Sequence, residues 1–90
     1  MIDLNLEIGQ VVKSFCGRDA GRYFLIKEIL DKNNVLLVDG DIRKLEKPKK
    51  KKIKHIKKLN KVFSIDFESA KDAHIRKILK SFLKDSLKEV

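Results

Sequence analysis

Apolar and polar positions alternate with period two over the first third of the chain and recur at intervals of three and four over the last third. In residues 9–15, Val11, Lys13 and Phe15 fall on one side and Val12 and Ser14 on the other, the mixed alternation of a short strand in a small barrel. Residues 16–21 carry Gly17 and Gly21 around Asp19, types that accept positive φ and tight reversals, so a turn is expected there. Residues 22–30 are rich in aromatic and branched side chains, with Tyr23 and Leu25 facing oppositely to Phe24 and Ile26, and they stop at the polar stretch 31–34. This predicts a second strand and a hairpin turn. The apolar run 35–38, closed by Asp39 and Gly40, predicts a third strand buried on both sides or near a barrel seam.

Past Gly40 the pattern dissolves into lysines. Pro48 forbids a regular helix at that point and cannot donate to a sheet ladder, so the run up to Lys52 reads as a basic loop. From Lys52 onward Ile53, Ile56 and Leu59 fit neither period well; a fourth strand is the expectation, because three strands alone leave a barrel edge open. In the last third Ile75, Ile78, Leu79, Phe82, Leu83 and Leu87 form a stripe, with Arg76, Lys77, Lys80, Lys84 and Asp85 on the other face. That predicts an amphipathic helix over about residues 70–88, capped by Ser69 with Asp72 three positions on. Packing over the barrel is its expected role, ahead of lying on a membrane or docking another protein, since Asp72, Asp85 and Glu89 dilute its basic face. The fold class is thus mainly β: a small barrel of four to five strands over residues 1–62, followed by a C-terminal helix packed on it over residues 63–90.

Residues 43–61 hold eleven Lys or Arg against the single acid Glu46, half of the 22 basic residues in the chain. So concentrated a field attracts a polyanion by displacing its condensed counterions, whereas a scattered surplus mostly aids solubility. The bland alternative is a flexible, solvated run, and it is disfavoured because strands are expected on both sides. At 90 residues the chain has room for one domain with a modest core. No apolar run approaches the ~20 residues of a membrane span, and the acidic start lacks the parts of a signal peptide, so a cytoplasmic, unsecreted protein is expected. Lone Cys16 excludes an intrachain disulfide.

Candidate chemistry is sparse. His55 and His74 lie nineteen positions apart with no paired ligand spacing, so no metal is expected. Asp39 and Asp41 flank a glycine at a turn, where they serve turn geometry better than acid–base work. Residues 17–21 lack the G-K-[ST] of a nucleotide-phosphate loop. No cofactor, small-molecule substrate or enzymatic activity is expected. Arg18 and Arg22, presented by the turn, suit phosphates or a splayed base, or else ion pairs with Asp19 or Asp41. Of Tyr23 and Phe24, Phe24 is the expected core residue and Tyr23 the one able to stack on a base.

GQVVKSFCGRDAGRYF over residues 9–24 and VLLVDGDIRKLEKPKKKKIKHIKKL over residues 35–59 carry a specific resemblance. Together they resemble the KOW-motif proteins. More narrowly they resemble the small bacterial KOW-domain RNA-binding proteins related to the archaeal and eukaryotic large-subunit ribosomal protein fourteen-e. In that group a strand leads into a glycine-bounded G-R-x-x-G turn, a hairpin follows, and a basic loop ending in a His-bearing strand completes an SH3-like barrel. The resemblance implies RNA as ligand and the ribosome or its precursors as the setting. The combined expectation is a monomeric, non-catalytic protein that contacts structured RNA through Arg18, Arg22, Arg43, Lys44, Lys49, Lys50, Lys51, Lys52, Lys54, Lys57 and Lys58, with His55 as a further contact and Gly17 and Gly21 shaping the turn. A protein-interaction adaptor in ribosome assembly or transcription, using the helix and an apolar barrel face, is the competing reading.

Overall fold

The computed structural model describes residues 5–88, with side chains described through residue 85. Its elements are strands β1 (Gln10–Ser14), β2 (Tyr23–Ile29), β3 (Asn34–Val38) and β4 (Lys49–Lys52), a 3-10 turn (Ile53–His55), β5 (Ile56–Val62) and helix α1 (Asp72–Lys88). The strands form one antiparallel sheet in the order β4-β3-β2-β1-β5. β4 and β5 stand at opposite ends of that order, yet the three-residue turn joins them, a reach of at most about 10 Å. The sheet must therefore roll until its edges meet. The turn is tied to the strands next to both edges: the Ile53 N–H donates to the carbonyl of Asn33, just before β3, at 2.8 Å, and the His55 carbonyl accepts from the N–H of Phe15, just after β1, at 3.1 Å.

Alternation along the strands sorts apolar side chains into two cores. Val12, Phe24, Ile26, Val35, Leu37 and Ile56 fill the inside of the roll. Val11, Leu25 and Val38, one position out of phase, point to the opposite face and pack with Ile75 and Leu79 of α1. The run 35–38 serves both cores: Val35 and Leu37 turn inward, Val38 turns toward the helix, and Leu36 is half-buried. Phe24 is 1% exposed inside, while half-buried Tyr23 borders the helix-side core. Leu87, expected to continue the helical stripe, lies outside the residues whose side chains are described.

Three expectations need correction. The lysine tetrad is not a loop but β4, paired with β3 from Leu37↔Lys49 to Asn34↔Lys52. Its sequence has no apolar alternation of its own; β3 needs a partner on its free edge, and Pro48, sitting just before the strand, costs the ladder no bond. The next strand, expected from about Lys52, begins only at Ile56, because Ile53 to His55 make the turn that lets the chain cross from one edge to the other. Nor does Ser69 cap the helix. Its Oγ donates to Asp66 Oδ2 at 3.0 Å, and the Ser69 and Ala70 N–H groups donate to the Asp66 carbonyl. Asp66 thus holds a separate turn, and α1 starts at Asp72, whose Oδ1 accepts the Leu45 N–H at 2.8 Å.

Candidate nucleic-acid interface

The turn after β1 is the best-anchored loop of the barrel. Gly17 and Gly21 have φ of +83° and +91°, which L side chains rarely adopt, and their backbones close the reversal: the Gly21 N–H donates to the Ser14 carbonyl at 2.8 Å, and the Ser14 N–H donates to the Arg22 carbonyl at 3.0 Å. Asp19 bolts this turn to β4. Its Oδ1 accepts from Ser14 Oγ and from Lys51 Nζ, both at 2.7 Å, and Lys51 also donates to the Cys16 carbonyl at 2.7 Å. Burial, the largest single influence, pushes the Asp19 carboxyl up. The hydrogen bonds from Lys51 and Ser14 and the charges of Lys51 and Lys49 outweigh it, and the group sits below its ordinary value.

Strand alternation decides which lysines meet solvent. Lys51 pairs with buried Val35, points inward with it and is only 8% exposed. Lys50 and Lys52 point the other way and are exposed. Lys49 is half-buried on the Lys51 side. Arg18 at the tip of the turn and Lys54 in the 3-10 turn are exposed, His55 is half-buried, and Lys57 is exposed opposite Lys13. Arg18, Lys49, Lys50, Lys52, Lys54, His55 and Lys57 therefore belong to connected pieces of one end of the barrel, the turn bolted to β4, β4 itself, the 3-10 turn and the start of β5, with Lys50 and Lys52 on the outward side of β4 and Lys49 on the inward side.

The remaining candidates lie elsewhere or are engaged. Lys58 is half-buried and donates to the Asn5 carbonyl at 3.0 Å. Arg22 takes the ion-pair alternative: its Nη2 lies 3.2 Å from Asp39 Oδ2 and 3.8 Å from Asp41 Oδ2. Arg43 and exposed Lys44 sit on the loop after β3, where Asp39 Oδ1 accepts the Arg43 N–H at 2.8 Å and neighbouring Leu45 reaches the start of α1.

Two features escaped the sequence. Lys13 Nζ stands 5.5 Å from the centroid of the Tyr23 ring, a contact across the paired positions Lys13↔Tyr23. An open cleft of about 1100 Å³ also runs between α1 and the loops around Arg22 and Asp39, lined by Tyr23, Arg76, Lys80 and Leu83 among others. The basic face of the helix was legible, but its approach to Arg22 depends on how α1 docks, which no local pattern encodes.

No family model matches the chain. A protein named large ribosomal subunit protein eL14, from Staphylothermus marinus, is 32% identical to it over 85 residues, a match covering 94% of this chain and 88% of the relative. The chain belongs to the eL14 family of large-subunit ribosomal proteins. A match of that extent takes in the sequence of the rolled sheet and at least most of that of α1 in this eL14-family chain. Among the described residues no helix is long and apolar enough to cross a membrane.

Proposed function

We propose that this eL14-family protein is a monomeric, non-catalytic, cytoplasmic component that binds structured ribosomal RNA. Its barrel is read as a KOW-type domain on the strength of the glycine-bounded turn. Assignment to a bacterial branch rests on the lysine tetrad. Phosphates are met by Arg18, Lys49, Lys50, Lys52, Lys54 and Lys57, with Lys44 and Arg43 contributing from the loop beside α1 and His55 as a further contact. Lys51 takes a different part: it holds the turn against β4. The observation that carries this reading is that Arg18, Lys50, Lys52, Lys54 and Lys57 are exposed on and beside a turn whose own acid, Asp19, is already occupied by Lys51. Among the described residues, only Lys49, near Asp19, and Lys50, near Asp31, of this array help to lower a carboxyl of the same chain, and an RNA backbone supplies the array with counter-charge. Phosphate contacts set position without reading sequence, so selectivity follows RNA shape.

Filter binding to large-subunit ribosomal RNA fragments tests the proposal. Replacing Lys50, Lys52 and Lys54 together by Glu spares Lys51 and the anchored turn. The variant is expected to bind more than about tenfold more weakly, with a salt dependence shallower by roughly 2 to 3 in log–log slope. Equal affinity and slope would remove the electrostatic model, and a protein co-purifying with a chain that ignores RNA would favour the adaptor role.

A further inference from the structure

α1 covers only part of the outer face of the sheet. Along β1 that face carries Val11, Lys13 and, one step past the strand, Phe15. Val11 is fully buried with Ile75 and Leu79 of α1, Lys13 is half-buried, and Phe15 is 54% exposed. Phe15 is held in strand register, not loose in the turn. Its N–H donates to the His55 carbonyl at 3.1 Å, which continues the β1–β5 ladder beyond Lys13↔Lys57 and Ser14↔Ile56. The uncovered face therefore begins beyond a row formed by Tyr23, Lys13 and Lys57 on three neighbouring strands: Tyr23 borders the helix-side core with Lys13 Nζ over its ring, Lys57 and Phe15 are exposed, and none of these paired positions carries a carboxylate.

We propose that this face is a stacking platform for an unpaired RNA nucleotide, with the Phe15 ring taking the base and Lys13 and Lys57 taking the flanking phosphates. The inference rests on the RNA-binding reading and adds to it a ligand form, single-stranded or looped-out RNA, that a phosphate-only array does not require. One exposed phenylalanine is ordinary on a protein surface. Its setting is what favours a base. An apolar protein partner covering this face would have to desolvate Lys57, exposed on the neighbouring strand and paired with the position two before Phe15, without replacing its water, whereas a nucleotide brings its own anion to it. Base–aromatic stacking tolerates any sequence, so the platform selects unpaired over paired RNA and reads base identity weakly.

The chain contains no tryptophan, so Phe15→Trp installs a single indole reporter at the platform. The probes are a single-stranded RNA oligonucleotide and a blunt duplex of equal length, with anisotropy of end-labelled RNA as an independent measure of binding. Indole fluorescence is expected to be quenched by the single strand and not by the duplex. Phe15→Ala is expected to weaken single-strand binding by about fivefold to a hundredfold while leaving duplex affinity and salt slope unchanged, and Phe15→Leu is expected not to restore it. Far-UV circular dichroism and a thermal melt confirm that each variant is folded. Binding of the single strand without quenching, or unaltered by Phe15→Ala, overturns the platform and leaves the phosphate array standing. If the wild type binds neither RNA, the platform falls together with the reading beneath it.

Discussion

Asp19 and Lys51 decide what the other lysines can do. Their ion pair at 2.7 Å fixes the turn to β4, and the two side chains are 14% and 8% exposed. Removing one member of such a pair strands the other charge. Asp19→Ala is accordingly expected to cost about 2–4 kcal/mol, toward the lower end because Lys51 keeps the Cys16 carbonyl, as measured by urea unfolding. The pair also sets an acid limit. A carboxyl held below its ordinary value in the folded state contributes stability that is fully present above the unfolded value, near pH 4, and is lost as pH falls through the folded value. Stability measured from pH 5 down to pH 2 should thus decline, with a shallower decline in Asp19→Asn. Asp31, lowered by the Asn33 backbone hydrogen bond, acts in the same direction from the hairpin turn. Equal slopes in the two proteins would show that Asp19 is not the group being titrated.

At the scale of elements, α1 is held chiefly by Ile75 and Leu79 against Val11, Leu25 and Val38. Ile75 is fully buried, so Ile75→Ala should lower stability by about 2–5 kcal/mol in chemical denaturation while leaving the inner core of Val12, Phe24 and Leu37 intact. Strands one to three were legible because their alternation is written in their own side chains. Val11 and Val12, or Phe24 and Leu25, announce two buried faces without reference to any other segment. β4 was not legible: four lysines carry no periodicity, and only the free edge of β3 makes them a strand. The same blindness hid the fate of Lys51, since burial of an ammonium depends on Asp19 arriving from another loop. Ser69 misled for a related reason, because Asp66, three residues earlier, competes for its hydroxyl.

For the whole molecule, the rolled sheet converts a charge run into an array with direction. Consecutive lysines on a flexible tail point everywhere; on β4 they alternate, so Lys50 and Lys52 share one side while Lys51 serves the fold. With about five phosphates neutralised, the log–log salt slope of ribosomal RNA binding should be roughly −3.5 to −4.5, a loss of about two to three decades between ~50 and ~200 mM salt. Charge concentration and the turn motif pointed to a polyanion partner from sequence, but which cations are exposed required the strand register. The most direct test is to sequence the RNA crosslinked to the protein in cells, for the wild type and for the variant with Lys50, Lys52 and Lys54 changed to Glu. Wild-type reads, normalised to RNA abundance, are expected to concentrate at a few positions of large-subunit ribosomal RNA and to disappear in the variant. Reads that merely follow abundance, or that survive the charge reversal, would contradict RNA binding through this array.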